Sequence, residues 1–136
     1  MVRPDVIKLE IPCSAEFVAI ARKAVEGIAS RLALTDEQTE DLKLAVGEAC
    51  TNAIKFSEPG KSAVRVLYRI ERDRLEIEVR NTGTRFTGNE DPCKPAVESL
   101  PEGGLGLYLI DQVMDELKIS CDGGKTTVKM VKRLKK

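Results

Sequence analysis

The sequence predicts an α+β fold, a two-layer sandwich with helices on one face of a mostly antiparallel sheet. Three observations lead there. Runs with strand and helix periodicity follow one another as β, α, α, β, β, α, β, β rather than alternating strictly. The two central strand-like runs are joined by the short charged turn Arg72-Asp73. The strand runs are also apolar on one side only, as in a sheet with one covered face.

In chain order, Val6 to Ile11 alternates with Ile7, Leu9 and Ile11 on one side, a half-buried strand that Pro12 ends. Ser14 is the expected N-cap of a helix in which Phe17, Ile20, Ala21, Ala24, Val25, Ile28 and Leu32 recur at helical spacing. Thr35-Asp-Glu-Gln38 reads as a capping box, starting a second helix at Asp36 that Ser57-Glu-Pro59-Gly60 terminates. Val64, Val66, Tyr68 and Ile70, then Leu75, Ile77 and Val79, form the hairpin, and the same two-residue period puts Asn81 on the buried side, where a polar group needs a partner. From Thr84 to Glu102 no period is sustained, and Gly88, Pro92, Pro95 and Pro101 interrupt the stretch, so a functional lid or a disordered insert is expected there. It ends in Gly103-Gly104-Leu105-Gly106, before a helix carrying Leu109, Ile110, Val113, Met114 and Leu117. Lys118 to Cys121, a turn at Asp122 to Lys125, and a strand from Thr126 to Lys132 with Val128 and Met130 inward close the chain.

The 136 residues suit a single domain with a core of its own, spanning residues 1–136. With 22 basic and 22 acidic residues the net charge is zero, which gives no bulk attraction to nucleic acid or acidic lipid. No apolar run reaches bilayer length and the N-terminus lacks a signal-peptide core, so the expected location is cytoplasmic with no membrane association. The four cysteines, Cys13, Cys50, Cys93 and Cys121, form no C-x-x-C pair and there is no histidine, so reduced thiols rather than zinc ligands are expected.

The second helix carries the chemistry. At about 100° per residue, Leu42, Ala45, Val46, Ala49, Ala53 and Phe56 make an apolar stripe, while Glu48, Asn52 and Lys55 make a polar stripe beside it. A carboxylate, a neutral amide and an ammonium at single-turn intervals on the edge of the core can supply a base, a cation ligand and a phosphate counter-charge. The same stripe is also compatible with a solvated helix face. Likewise Gly103-Gly104-x-Gly106 opening a helix can present backbone N–H groups to phosphate, or can be a turn.

Glu48-Ala-Cys-Thr-Asn52-Ala resembles the N-box of the superfamily containing gyrase, the Hsp90 chaperones, histidine kinases and mismatch-repair ATPases, and among its branches most resembles the bacterial anti-sigma-factor serine kinases. Asn52-Ala-Ile-Lys55-Phe56 is similar to the histidine-kinase version of the box. There the position of Glu48 is usually Asn, because a histidine nucleophile needs no strong base, whereas a hydroxyl does. Gly103-Gly104-Leu105-Gly106 resembles the G2 box at the end of an ATP lid, here residues 84–105, and Val79 to Arg85 occupies the place of the G1 box.

The resemblance implies the Bergerat ATP-binding fold. It implies Glu48 as general base toward a serine hydroxyl, Asn52 as ligand of the magnesium that bridges ATP, Lys55 and the glycines with Leu105 at the phosphates, Asn81 and Gly83 at the adenine, and Arg22 in partner contacts. The partners it implies are a sigma factor and an antagonist protein phosphorylated on serine, with the kinase acting as a homodimer. The G1 box departs from Asp-x-Gly-x-Gly at Asn81 and Arg85, and Phe56 stands where relatives often carry His. Exchanging a charged acceptor for a neutral one costs about 1 kcal/mol, about five- to tenfold in affinity. Two rivals follow: a nucleotide-binding or nucleotide-free regulatory module without catalysis, favoured by those departures, and a domain detached from a histidine kinase, opposed by Glu48.

Overall fold

A reciprocal pair of hydrogen bonds starts the longest helix: the Gln38 N–H donates to Thr35 Oγ1 and the Thr35 N–H donates to Gln38 Oε1, each at 3.0 Å. The computed structural model describes residues 5–55, 63–81, 105–122 and 125–134. Within them, α1 (Val18–Leu32), α2 (Asp36–Lys55) and α3 (Leu105–Val113) lie against a sheet of β1 (Asp5–Pro12), β2 (Ala63–Ile70), β3 (Arg74–Asn81), β4 (Glu116–Asp122) and β5 (Lys125–Arg133). The sheet has five strands in the order β1-β2-β3-β5-β4, and every neighbouring pair is antiparallel. This is the expected α+β sandwich.

The core lies between the layers, and α2 is its centre, packed on α1, α3 and the sheet. Leu42, Ala45, Val46, Ala49 and Ala53 are buried as their spacing requires, joined by Gly47 and Cys50. Mostly small side chains on that face let α2 approach its neighbours closely. From the sheet come Val64, Val66, Tyr68, Leu75, Ile77, Val79, Val128 and Met130, and the Tyr68 hydroxyl donates to the Ala21 carbonyl at 2.8 Å, tying β2 to α1.

Several expectations require correction. Ser14 makes no side-chain capping bond; instead its carbonyl accepts from the Phe17 N–H (3.0 Å) in a 3₁₀ turn over Ala15–Phe17, and α1 begins only at Val18. Ala21, Val25 and Ile28 are buried as their spacing requires, joined by Val18 and Ala29, whereas Ile20 is 48% exposed. Ala33 ends α1 in the left-handed region (φ 56°, ψ 45°), without the glycine usual there. α3 stops at Val113, leaving Met114 beyond it and Leu117 in β4, because the Asp115 N–H donates to the Val131 carbonyl (2.8 Å) and diverts the chain into the sheet. Phe56 and the stop signal at residues 57–60, the stretch from Thr84 to Glu102, and the glycines of the turn at Asp122 to Lys125 lie outside the described residues.

The uncovered face of the sheet also differs from a simply solvated one. Glu76 and Glu78 are 5% and 6% exposed. Arg69 pairs with both, Arg80 with Glu78 (2.7 Å), and Arg74 and Lys129 with Glu76 (3.7 and 3.8 Å), so neither buried carboxylate lacks a counter-charge.

Two titrations bound the stability of this fold. Burial pushes Glu78 up, but the hydrogen bonds and charges of Arg80 and Arg69 outweigh it and hold the carboxyl below its ordinary 4.5. Its contribution is therefore complete above that pH and lost on acidification. Burial pushes the Cys50 thiol up to about 12 from 9.0, with the Arg22 charge opposing weakly. The folded thiol keeps a proton that the unfolded one releases, so its contribution is complete below pH 9.0 and lost as the pH rises toward 12. Urea unfolding of wild type and Cys50→Ala should diverge by about 1.4 kcal/mol per pH unit on the alkaline limb. Parallel limbs would show that Cys50 does not carry the effect.

Candidate functional site

The border of α2 is where buried and wet surfaces meet. Glu48 and Asn52 are half-buried one turn apart on it, and Lys55 is exposed in the last turn. A full turn of separation points the two side chains the same way along one edge of the core.

Glu48 meets the start of α3. A Cβ built on Gly106 would lie 2.9 Å from Glu48 Oε1, closer than side-chain carbons stand to such atoms, so the carboxylate occupies space that only glycine leaves open. The first-turn N–H groups of α3 lack intrahelical acceptors, and the helix dipole is positive there. The carboxylate and the anion-attracting end of α3 thus share one locus, although Gly106 and Glu48 are far apart in sequence.

Asn81 ends β3 on the inner face at 1% exposure. Its Oδ1 accepts the Thr126 N–H of β5 at 3.0 Å, which is the partner its register demands. Among the described residues its Nδ2 has no hydrogen-bond partner, a rare condition for a buried amide. Sequence reasoning did not find Thr126, since nothing in the pattern of β3 says that β5 rather than β4 is its neighbour.

Arg22 takes a different position from the other candidates. Its guanidinium lies against α2 at Gly47, with Nη1 3.0 Å and Cζ 3.7 Å from where a Cβ would stand. Gly47 was not singled out in the sequence, and the only signal for it is a glycine inside a helix, which costs about 1 kcal/mol relative to alanine and so asks for a packing reason. Arg22 therefore sits in the α1–α2 groove, about 100° around α2 from Glu48. Leu105 opens α3, whereas Gly83, Gly103, Gly104 and Arg85 lie outside the described residues.

Comparison with known proteins finds relatives over nearly the whole chain. The histidine kinase-like ATPase domain family matches residues 11–132. The chain is 41% identical over 139 residues to the serine-protein kinase RsbW of Bacillus velezensis, covering 96% of this chain and 86% of that one. It is 43% identical over 141 residues to the serine-protein kinase RsbW of Bacillus pumilus, with coverage of 96% and 86%. In three dimensions it superposes with a TM-score of 0.69 on a crystal structure of the RsbU and RsbW domains of a Mycobacterium tuberculosis protein, at 14% identity over 96% of this chain and 32% of that one; this likeness concerns the fold alone. With a family match across most of its length and close relatives over nearly all of it, the chain belongs to the histidine kinase-like ATPase family and, within it, to that of the RsbW serine-protein kinases.

Proposed function

We propose that the protein is an ATP-dependent serine/threonine protein kinase of the anti-sigma-factor type, which binds a sigma factor and phosphorylates an antagonist protein on serine. The observation that carries this reading is the Glu48 carboxylate at the first turn of α3, one helical turn from Asn52. One feature fits a nucleotide: Asn81 Nδ2, a buried donor without a partner among the described residues, which a base can satisfy.

In this reading Asn52 would hold magnesium through its side-chain oxygen, while Lys55, Gly103, Gly104, Leu105 and Gly106 serve the phosphates and Asn81 and Gly83 the base. Magnesium, when bound, neutralises charge on the triphosphate and aligns its terminal phosphoryl group. Glu48 orients the substrate serine hydroxyl and takes its proton as the serine oxygen bonds to the γ-phosphorus; the bond to the β–γ bridging oxygen breaks and ADP departs. Residues 84–105 form the lid of a single domain, and Arg22 contributes to a partner surface in the α1–α2 groove. The kinase works as a homodimer in the cytoplasm, without direct contact to nucleic acid. No described helix is long and apolar enough to cross a membrane.

Asn52→Ala should abolish magnesium-dependent ATP binding in calorimetry while leaving the circular dichroism spectrum unchanged; wild-type binding by the variant would show that the metal ligand lies elsewhere. Glu48→Gln should retain nucleotide and partner binding and lower phosphotransfer by about 10²–10⁴-fold, the usual worth of general-base help. The assay is transfer of radiolabelled phosphate from ATP to the antagonist. Equal transfer by both proteins would remove Glu48 as the base, and tight ATP binding without transfer by the wild type would make the protein a binding module rather than a kinase.

A further inference from the structure

Among the described residues, the one buried side-chain nitrogen or oxygen without a hydrogen-bond partner is Asn81 Nδ2. Rotating the amide does not cure this. The Thr126 backbone N–H is a donor whose position the β3–β5 ladder fixes, and of the two ends of the amide only Oδ1 can accept from it, at 3.0 Å. A flipped side chain would set donor against donor at Thr126 and orphan Oδ1 instead. The end of β3 thus presents N–H hydrogens, and what they lack is an acceptor.

A carboxylate in the same place would behave oppositely. One oxygen would take the Thr126 N–H and the other would remain an acceptor, complementary to an exocyclic amine. Asn81 keeps the anchor to β5 and reverses the polarity of the free end. Adenine carries an amine at position 6, so in the same pose it meets Nδ2 donor to donor, and it can supply an acceptor only by shifting until ring N1 or N7 comes into reach. Hypoxanthine and guanine carry an oxygen at position 6, which is the acceptor that Nδ2 lacks.

Resting on the reading that Asn81 faces position 6 of the bound base, we propose that the site takes 6-oxopurine nucleoside triphosphates at least as readily as ATP, and that Asn81 is the residue that sets this preference. A buried donor given an acceptor, against the same donor facing another, is a difference on the scale of a hydrogen bond, roughly tenfold in affinity.

Inosine triphosphate is the sharpest probe, because it differs from ATP only in the oxygen for nitrogen at position 6 and the accompanying proton on N1. Competition of each nucleotide against a fluorescent ATP analogue, with magnesium and the full chain, gives both dissociation constants at equilibrium. The wild type should bind inosine triphosphate as tightly as ATP or more tightly, and Asn81→Asp should move the ratio toward ATP by roughly tenfold. A wild-type preference for ATP of about threefold or more, beyond the scatter of one weak contact, overturns the proposal and leaves the nucleotide site standing. An Asn81→Asp variant that folds and keeps the wild-type ratio overturns it too. Should burial of a carboxylate unfold that variant, the wild-type ratio alone decides. Folded wild type that binds neither nucleotide overturns the proposal together with the reading beneath it.

Discussion

How closely α2 can approach its neighbours governs the rest of the structure. Its buried side is built largely from Ala45, Gly47, Ala49, Cys50 and Ala53, so the packing distance is set by little more than backbone. Two neighbouring helices use that closeness in different ways. α1 lays the Arg22 guanidinium across Gly47, and α3 brings Gly106 up to the Glu48 carboxylate. A bulkier α2 would keep the same topology but hold these charged groups farther apart, and a site whose geometry depends on contact would be lost before the fold was.

The opposite face of the sheet follows another logic. Glu76 and Glu78 are withdrawn from water, their desolvation offset by arginines and a lysine on the same and adjacent strands. Partners that could be exchanged for water on a flat exposed surface here screen the carboxylates from it, which is why a face that faces solvent nevertheless contains buried charge. The two faces thus divide the electrostatics. The helix side keeps a small number of polar groups at an edge, and the other side neutralises its charges among themselves.

Much of this was legible in the sequence. The capping box at Thr35 and Gln38, the hairpin around Arg72-Asp73, the burial of Asn81 and the edge position of Glu48 and Asn52 are local consequences of spacing, and spacing is visible in one dimension. What was not legible depends on contacts between distant segments. The 3₁₀ turn over Ala15–Phe17 delays the start of α1 to Val18, and the Asp115–Val131 hydrogen bond ends α3 with no proline or glycine to announce it. Glu76 and Glu78 read as solvated until strand pairing puts Arg69 opposite Glu76 and Lys129 opposite Glu78. The fit of Glu48 to Gly106 and the bond from Thr126 to Asn81 required the fold itself.

Two of the helix glycines, Gly47 and Gly106, have a consequence for anyone seeking a hardier version of this protein. Alanine is the better helix former, by about 1 kcal/mol in a helix interior such as that around Gly47, and at each position the first obstacle to a new methyl group is the mobile end of a long side chain rather than backbone. Selection for heat resistance alone would therefore welcome alanine at Gly47 and Gly106, while each replacement would swing a charged group out of its seat. Thermal robustness and placement of charge pull against each other at these two atoms' worth of empty space, and a variant library ranked by melting temperature would enrich for the members that have lost the arrangement.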